Sequence, residues 1–400
     1  MTMEPDGVIP DAAALGTQVA AFVAAHDPRT TEPLEFLRAR FDAGLAWVHY
    51  PAGLGGQSVP RSLQSAVDRA FTDAGSPSNH PERNGIGLGM AAPTILAHGT
   101  PEQKHRWLRP LWTGEEIWCQ LFSEPGAGSD LAGLATRAGR DGDVWTVNGQ
   151  KVWTSSAHMA RRALLVARTN PNVPKHEGLT YFALDMTQPG VEVRPLRQMT
   201  GDAEFNEVFL TDAKIPDADR IGEAGQGWAV SMATLMNERV SIGGGAMPRE
   251  GGMIAAAART WRRHAELRTP GLHDRLLRLW ADAEVARLAG TRLRQQLAAG
   301  VPGPEGSAAK LVFARLNQEI SEFEVELAGA DGLRYDDWTM RRPSGADFFG
   351  RNPVFRFLRA KGNSIEGGTS EILRNVIAER VLGLPKEARV DSGPWKDLPR

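Results

Sequence analysis

Cysteine is nearly absent: Cys119 is the only one in 400 residues. An internal disulfide is therefore excluded, and the composition fits a reducing interior. With nothing beside it in sequence to activate a thiolate, Cys119 reads as a small apolar packing residue. A dominant charge sign is missing too. Lys and Arg number 46 against 48 Asp and Glu, for a net charge of −2, so no global field draws nucleic acid. The paired arginines (Arg161-Arg162, Arg262-Arg263 and Arg341-Arg342) read as solvated faces. No apolar run reaches the roughly 20 residues needed to cross a bilayer. The first residues, Met1-Thr-Met-Glu-Pro-Asp-Gly, are acidic and do not read as a signal peptide, so a cytoplasmic location is expected. No G-x-S-x-G is present, and the nine histidines show no clustered ligand spacing with Cys or Glu, which leaves hydrolase and metal readings without support. There is no internal repeat.

What is present is enough apolar residue, 42%, to bury a substantial core in two or three domains. Residues 12–25, 34–46 and 63–74 carry apolar positions three and four apart, the helical period. Beyond Cys119 the character changes. Residues 144–147, 163–168, 179–184, 191–195 and 207–210 are short β-branched or aromatic runs between Gly, Pro, Asn and Asp clusters, which predicts antiparallel strands. The helical period returns over 229–240, 253–265, 272–299 and 308–327, and a last helical stretch falls within 353–382. Helices, strands and helices in that order make an α+β chain.

The most informative segment is Cys119-Gln-Leu-Phe-Ser-Glu-Pro-Gly-Ala-Gly-Ser-Asp130, a glycine-rich loop after an apolar run with hydroxyls at Ser123 and Ser129. Such a loop lets backbone N–H groups approach a flat or charged ligand. Three further segments follow: Val147-Asn-Gly-Gln-Lys-Val-Trp-Thr-Ser-Ser156, then Asn237-Glu-Arg239 behind Gly222-Glu-Ala-Gly-Gln-Gly-Trp228, then Ser364-Ile-Glu-Gly-Gly-Thr-Ser-Glu-Ile-Leu-Arg-Asn375. A fifth glycine cluster, Gly87-Leu-Gly-Met-Ala-Ala92, matches the dinucleotide pattern G-x-G-x-x-A, but no strand signal precedes it. A close-packed helix is the expectation there.

Taken in order, the four segments resemble the acyl-CoA dehydrogenase family of FAD flavoproteins, from about Pro51 to Pro385. The resemblance implies an N-terminal helical domain (1–117), a central antiparallel β-barrel (118–227), a C-terminal four-helix bundle (228–385) and a tail (386–400). It implies FAD as cofactor, with Ser123 donating to the pyrimidine edge of the flavin beside the backbone of Leu121 and Phe122. Trp153 would pack on the ring, with Thr154 alongside and Ser155 reaching N5, and Thr369 and Glu371 would meet the diphosphate and ribose. Judged by themselves, a serine in such a loop is a turn residue and a tryptophan between Val and Thr is strand packing.

Removing a proton alpha to a thioester needs a carboxylate near the carbon and donors to the enolate oxygen. Many relatives carry the glutamate directly before Gly-Thr, where this chain has Gly367, with Glu366 one residue earlier. Others, a bacterial branch among them, carry it on the first bundle helix just before an arginine, which Glu238-Arg239 matches. Glu238 is thus the expected base and Glu366 the alternative, while the N–H of Gly367 would donate to the thioester carbonyl. Ser129 and Arg239 match positions that contact the CoA portion, although Arg239 could equally pair with a carboxylate. The resemblance further implies an acyl-CoA substrate, an electron-transfer flavoprotein as acceptor, and a homodimer or homotetramer. A heteromer with a sister subunit stays open, because the Arg-x-Phe-Gly segment has no match between Gly243 and Leu279 and the usual Gln-x-x-Gly-Gly-Asn-Gly appears as Glu326-Leu-Ala-Gly-Ala-Asp-Gly332. An oxidase or monooxygenase on the same fold, and a non-catalytic partner subunit, are the rival readings.

Overall fold

The computed structural model describes residues 11–243, 248–298, 305–335, 337–345, 351–388 and 391–398. The chain divides into two compact units, Met1–Trp118 and Cys119–Arg400.

The first unit is helical: α1 (Ala12–Ala25), α2 (Pro33–Asp42), α3 (Gln64–Asp73), α4 (Ala92–His98) and α5 (Pro101–Thr113). Asp11 starts α1 by accepting the Ala14 N–H at 2.8 Å, and Thr100 with Gln103 forms a reciprocal capping box on α5. Leu15, Val19 and Phe22, four and three residues apart, face one core with Phe36, Val67 and Phe71. The rings of Phe22, Phe36 and Phe71 meet edge to face at 5.3–6.2 Å. α2 ends at Asp42, earlier than the expected 46. Gly87, in the segment that matches G-x-G-x-x-A, is explained by packing. A β-carbon on Gly87 would fall 2.2 Å from the Asn84 amide oxygen, and that amide is needed to accept the Trp118 N–H and to donate to the Leu111 carbonyl.

The second unit joins a sheet to a helical bundle. Its strands are β1 (Trp118–Leu121), β2 (Arg137–Asp141), β3 (Val144–Ser155), β4 (Arg162–Arg168), β5 (Leu179–Asp185), β6 (Val191–Pro195) and β7 (Phe205–Pro216). They lie in the order β1-β4-β2-β3-β7-β6, with β5 paired to β4. The expected antiparallel barrel is thus a curled seven-stranded sheet, antiparallel in the β2–β3, β3–β7, β6–β7 and β4–β5 pairings and parallel where β2 meets β4 at Arg137 and Arg168. Strands β3 and β7 run beyond their apolar stretches through polar residues, some half-buried or exposed, such as Gln150 and Thr211, and some buried, such as Lys151 and Asn206. Cys119 lies fully buried in the sheet core with Leu121, Val147, Leu165 and Phe182. That burial pushes its thiol up and makes it inert.

The helices are α6 (Gly227–Gly243), α7 (Gly252–Arg263), α8 (Pro270–Ala298), α9 (Glu305–Leu327), α10 (Pro353–Ala360) and α11 (Ser370–Arg380). α9 is the axis against which α6, α7, α8, α10 and α11 all pack. Glu324, with no exposed surface, joins α9 to α10 through both oxygens on the Arg356 guanidinium, at 2.6 and 2.8 Å. Each large apolar side chain buried in such a core stabilises it by roughly 1.5–3 kcal/mol.

Candidate active site

Two of the motif segments are brought into contact by one backbone bond. The loop leaving β1 lies against the end of β3, and the Ser123 carbonyl accepts the Val152 N–H at 2.9 Å. A buried ion pair underpins the loop. Lys151 Nζ donates to the Phe122 carbonyl at 2.9 Å and to Glu124 Oε1 at 2.8 Å. Glu124 also accepts the Ala135 and Thr136 N–H groups at 2.6 and 2.9 Å. Burial would raise the Glu124 carboxyl, but Lys151 and these donors outweigh it and hold it below the usual range. Neither Lys151 nor Glu124 was singled out from sequence, although opposite charges inside two polar motif segments were a usable signal.

The end of β3 is bulged between Lys151 and Thr154, and Trp153 sits at φ +60°. A side chain in this left-handed region costs about 1–3 kcal/mol, a cost associated with functional sites. The result is an indole 58% exposed between the buried Val152 and Thr154. Its edge rests on Phe205, with ring centroids 5.9 Å apart and planes at 83°. The Thr154 hydroxyl is buried and meets no hydrogen-bond partner among the described residues. Ser123 and Ser155 are half-buried beside this wall, while Leu121 and Phe122 are buried. A flat apolar face with an orphaned hydroxyl and neighbouring serines fits one side of an isoalloxazine ring.

The second half of the site gathers around Lys310 on α9. This ammonium, 1% exposed, donates to the Asn363 and Gly368 carbonyls, both at 2.7 Å. Burial lowers its proton affinity, and the charges of Glu366, Glu238 and Glu371 push the other way. Lys310 therefore holds the turn containing Gly367 to α9, against which α6, the helix bearing Glu238, also packs. Glu238 is half-buried and four residues beyond Thr234, hence on the same face of α6. That face is turned to the sheet: the Thr234 hydroxyl meets the Tyr181 hydroxyl on β5 at 2.9 Å. The Arg239 side chain lies outside the described residues.

Glu366 points elsewhere. Its oxygens take the Arg359 guanidinium at 3.2 and 2.9 Å and the Asn363 amide at 2.5 Å. Arg359 also reaches Glu204 on the sheet side, 3.4 Å away, and lies over the Phe205 ring that supports Trp153. Next in sequence, Gly367 and Gly368 adopt φ +63° and +93°, a turn that a β-carbon would strain. Thr369 caps α11 by accepting the Ile372 N–H at 3.2 Å, which leaves its own O–H to donate. Glu371 is exposed, 3.4 Å from Arg374. The open N-terminus of α11 suits a phosphate group. Ser129 is exposed at the far end of the glycine-rich loop, next to Asp130. Among the described residues no group of His, Cys, Asp and Glu could hold a metal ion, and no helix is long and apolar enough to cross a membrane.

Sequence comparison identifies the family. Three domains match in order: "Acyl-CoA dehydrogenase, N-terminal domain" over residues 12–115, "middle domain" over 119–213 and "C-terminal domain" over 225–382. The chain belongs to the acyl-CoA dehydrogenase family, whose members are FAD-dependent oxidoreductases. Among relatives, acyl-CoA dehydrogenase IpdE1 of Mycobacterium tuberculosis is 40% identical over 87% of this chain and 86% of its own length. Acyl-CoA dehydrogenase FadE34 of the same organism is 39% identical over 94% of this chain, which spans only 49% of that longer protein. Among solved structures, the ChsE4–ChsE5 complex from M. tuberculosis superposes with a TM-score of 0.69 at 26% identity, covering 96% of this chain and all of its counterpart.

Proposed function

We propose that this chain oxidises the α,β carbon–carbon bond of an acyl-CoA thioester to the 2-enoyl-CoA, with Glu238 as the base. Bound FAD supplies the acceptor, at flavin N5, for the hydride leaving the β-carbon. Glu238 takes the α-proton, and the electron pair released at the α-carbon forms the new double bond as the hydride departs. The α-proton is too weakly acidic for a carboxylate unless the carbonyl oxygen is stabilised, and the Gly367 N–H serves that oxygen. Ser123, with the Leu121 and Phe122 backbone, holds the pyrimidine edge of the flavin. Trp153 covers the ring with Thr154 alongside, and Ser155 offers a hydroxyl at N5. Thr369, Glu371 and the α11 N-terminus receive the diphosphate and ribose, while Ser129 and Arg239 contact the CoA portion.

The observation that supports this choice of base is that the Glu366 oxygens hold Arg359 and Asn363, while Glu238 is half-buried on the face of α6 turned to the sheet. We further read domains at 1–117, 118–227 and 228–385 with a tail at 386–400, an oligomeric enzyme in the cytoplasm, and an electron-transfer flavoprotein as electron acceptor.

The test is a panel of acyl-CoAs of differing length and branching, mixed anaerobically with the yellow protein. Loss of the flavin colour with at least one member, and slow recovery in air, is the expected result. A flavin that no acyl-CoA bleaches would end the proposal, and rapid reoxidation with peroxide would replace the dehydrogenase by an oxidase.

A further inference from the structure

After residue 388 the described residues resume at 391–398, and this segment returns to the sheet. The Trp395 N–H donates to the Val173 carbonyl at 2.9 Å and the Lys396 N–H to the Pro171 carbonyl at 3.1 Å. Pro394 and Pro174 form an isolated β-bridge, and a 3-10 turn over Trp395–Asp397 closes the segment. The tail is thereby laced to the β4–β5 connection, residues 169–178.

Its side chains reach further, onto the glycine-rich loop. The Trp395 indole N–H donates to the Gly133 carbonyl at 3.2 Å, and the Arg168 guanidinium lies over the same indole at 4.3 Å. Arg168, only 3% exposed, also donates to the Ala132 carbonyl at 2.5 Å and the Leu134 carbonyl at 3.1 Å. Lys175 completes the arrangement. Its ammonium grips both Asp130 oxygens at 2.7 and 2.8 Å and pairs with Asp391 from the tail. Tail, connection and residues 130–134 thus share one set of hydrogen bonds, two cations and two carboxylates.

We propose that residues 391–398 are a positioning strap that fixes the 129–134 stretch for the CoA end of the substrate. The inference rests on the reading of Ser129 as a CoA contact. Ser129 and Asp130 are exposed on a loop rich in glycine, whose freedom would have to be frozen whenever a ligand binds. Ordering the loop beforehand removes that entropic cost, so affinity rises without a new contact to the ligand. Asp391 contributes through charge, as the second carboxylate that keeps Lys175 beside Asp130. Trp395 contributes through shape, filling the space between Arg168 and the Gly133 carbonyl.

The test uses the FAD-loaded full chain, its Trp395→Ala and Asp391→Asn variants, and a chain lacking residues 389–400. Coenzyme A is titrated into each by calorimetry. Turnover is measured with an acyl-CoA that bleaches the wild type and with the matching acyl-N-acetylcysteamine thioester. For Trp395→Ala we expect about tenfold weaker CoA binding and a matching rise in KM for the acyl-CoA. Flavin content, kcat and KM for the short thioester should stay at wild-type values, and Asp391→Glu should recover what Asp391→Asn loses. CoA affinity within about twofold of wild type in Trp395→Ala and Asp391→Asn would overturn the strap. Equal losses for both thioesters, or loss of flavin, would also overturn it, because they mark a merely structural role. Should the shortened chain fail to fold, the two point variants decide. A Ser129→Ala arm separates the two readings: wild-type affinity there, beside weakened strap variants, removes Ser129 as a contact and keeps the strap.

Discussion

Glu238 on α6 and Glu366 in the turn before α11 both lie within reach of the Lys310 charge, yet they sit in different surroundings. Glu366 is clamped by Arg359 and Asn363 inside a crowd of like charges. Arg359 serves Glu204 as well as Glu366, and Asp202 stands close by on the Arg351 guanidinium at 2.7 Å. Glu238 lies one helical turn beyond Thr234, on the face of α6 that meets the sheet. The contrast teaches that two carboxylates near one ammonium can stand in very different settings. Glu366 ties the turn to Arg359 and Asn363, and Glu238, the base in our proposal, is held on a helix.

The comparison breaks most visibly at Glu238. Glu238→Gln should leave FAD bound, as read from the flavin spectrum, and lower kcat by about 10³-fold, within the range that a positioned base contributes. Lys310→Met comes next. It removes the donor from two carbonyls beside the glycine turn and should lower kcat about tenfold and stability by about 2–3 kcal/mol, measured by urea denaturation. Glu366→Gln should sharpen the contrast, costing about 1–2 kcal/mol of stability through the Arg359 clamp while kcat stays within about threefold of wild type.

The smallest effect is a pH dependence centred on Glu204. Burial raises its carboxyl above the ordinary value of 4.5, with Glu366 and Asp202 adding to the rise and Arg359 and Gln198 opposing it. A folded-state value above the unfolded one means the native protein binds the extra proton. Glu204 therefore contributes stability that is fully present below pH 4.5 and is lost as pH rises through the raised folded value. Glu204→Gln should flatten that part of the stability–pH curve, and Glu366→Gln should narrow it by removing one of the charges that raises Glu204. Thermal melts across pH 4–8 would show both; an unchanged profile in Glu204→Gln would remove Glu204 as its source.

Much of the fold was legible because apolar periodicity is local. α1 begins and ends where the three-and-four spacing predicts, and Val191–Pro195 is a strand with the expected bounds. β3 was visible only to Val147, because Gly149, Gln150 and Lys151 break its apolar character and Trp153 leaves the regular pleat at a bulge. β1 is four residues long and β2 is Arg137–Asp141, mostly exposed, so neither announces itself. The candidate site was drawn from the motif segments, but their long-range partners were not legible. Lys310 acts 53 and 58 residues away, and Trp395 reaches Gly133 from 262 residues away. Such pairings depend on how helices and strands are stacked, which spacing within a segment does not encode. The surroundings that distinguish Glu366 from Glu238 belong to the same class, since they depend on where Arg359 and Asn363 point.

The account is tested most directly by stopped-flow bleaching of the flavin under anaerobic conditions, with Glu238→Gln and Glu366→Gln run beside the wild type on one acyl-CoA. Bleaching by Glu366→Gln at close to the wild-type rate, with FAD-loaded Glu238→Gln staying yellow, is the outcome expected. A Glu238→Gln protein that bleaches normally while Glu366→Gln does not would transfer the base to the turn before α11 and contradict the account.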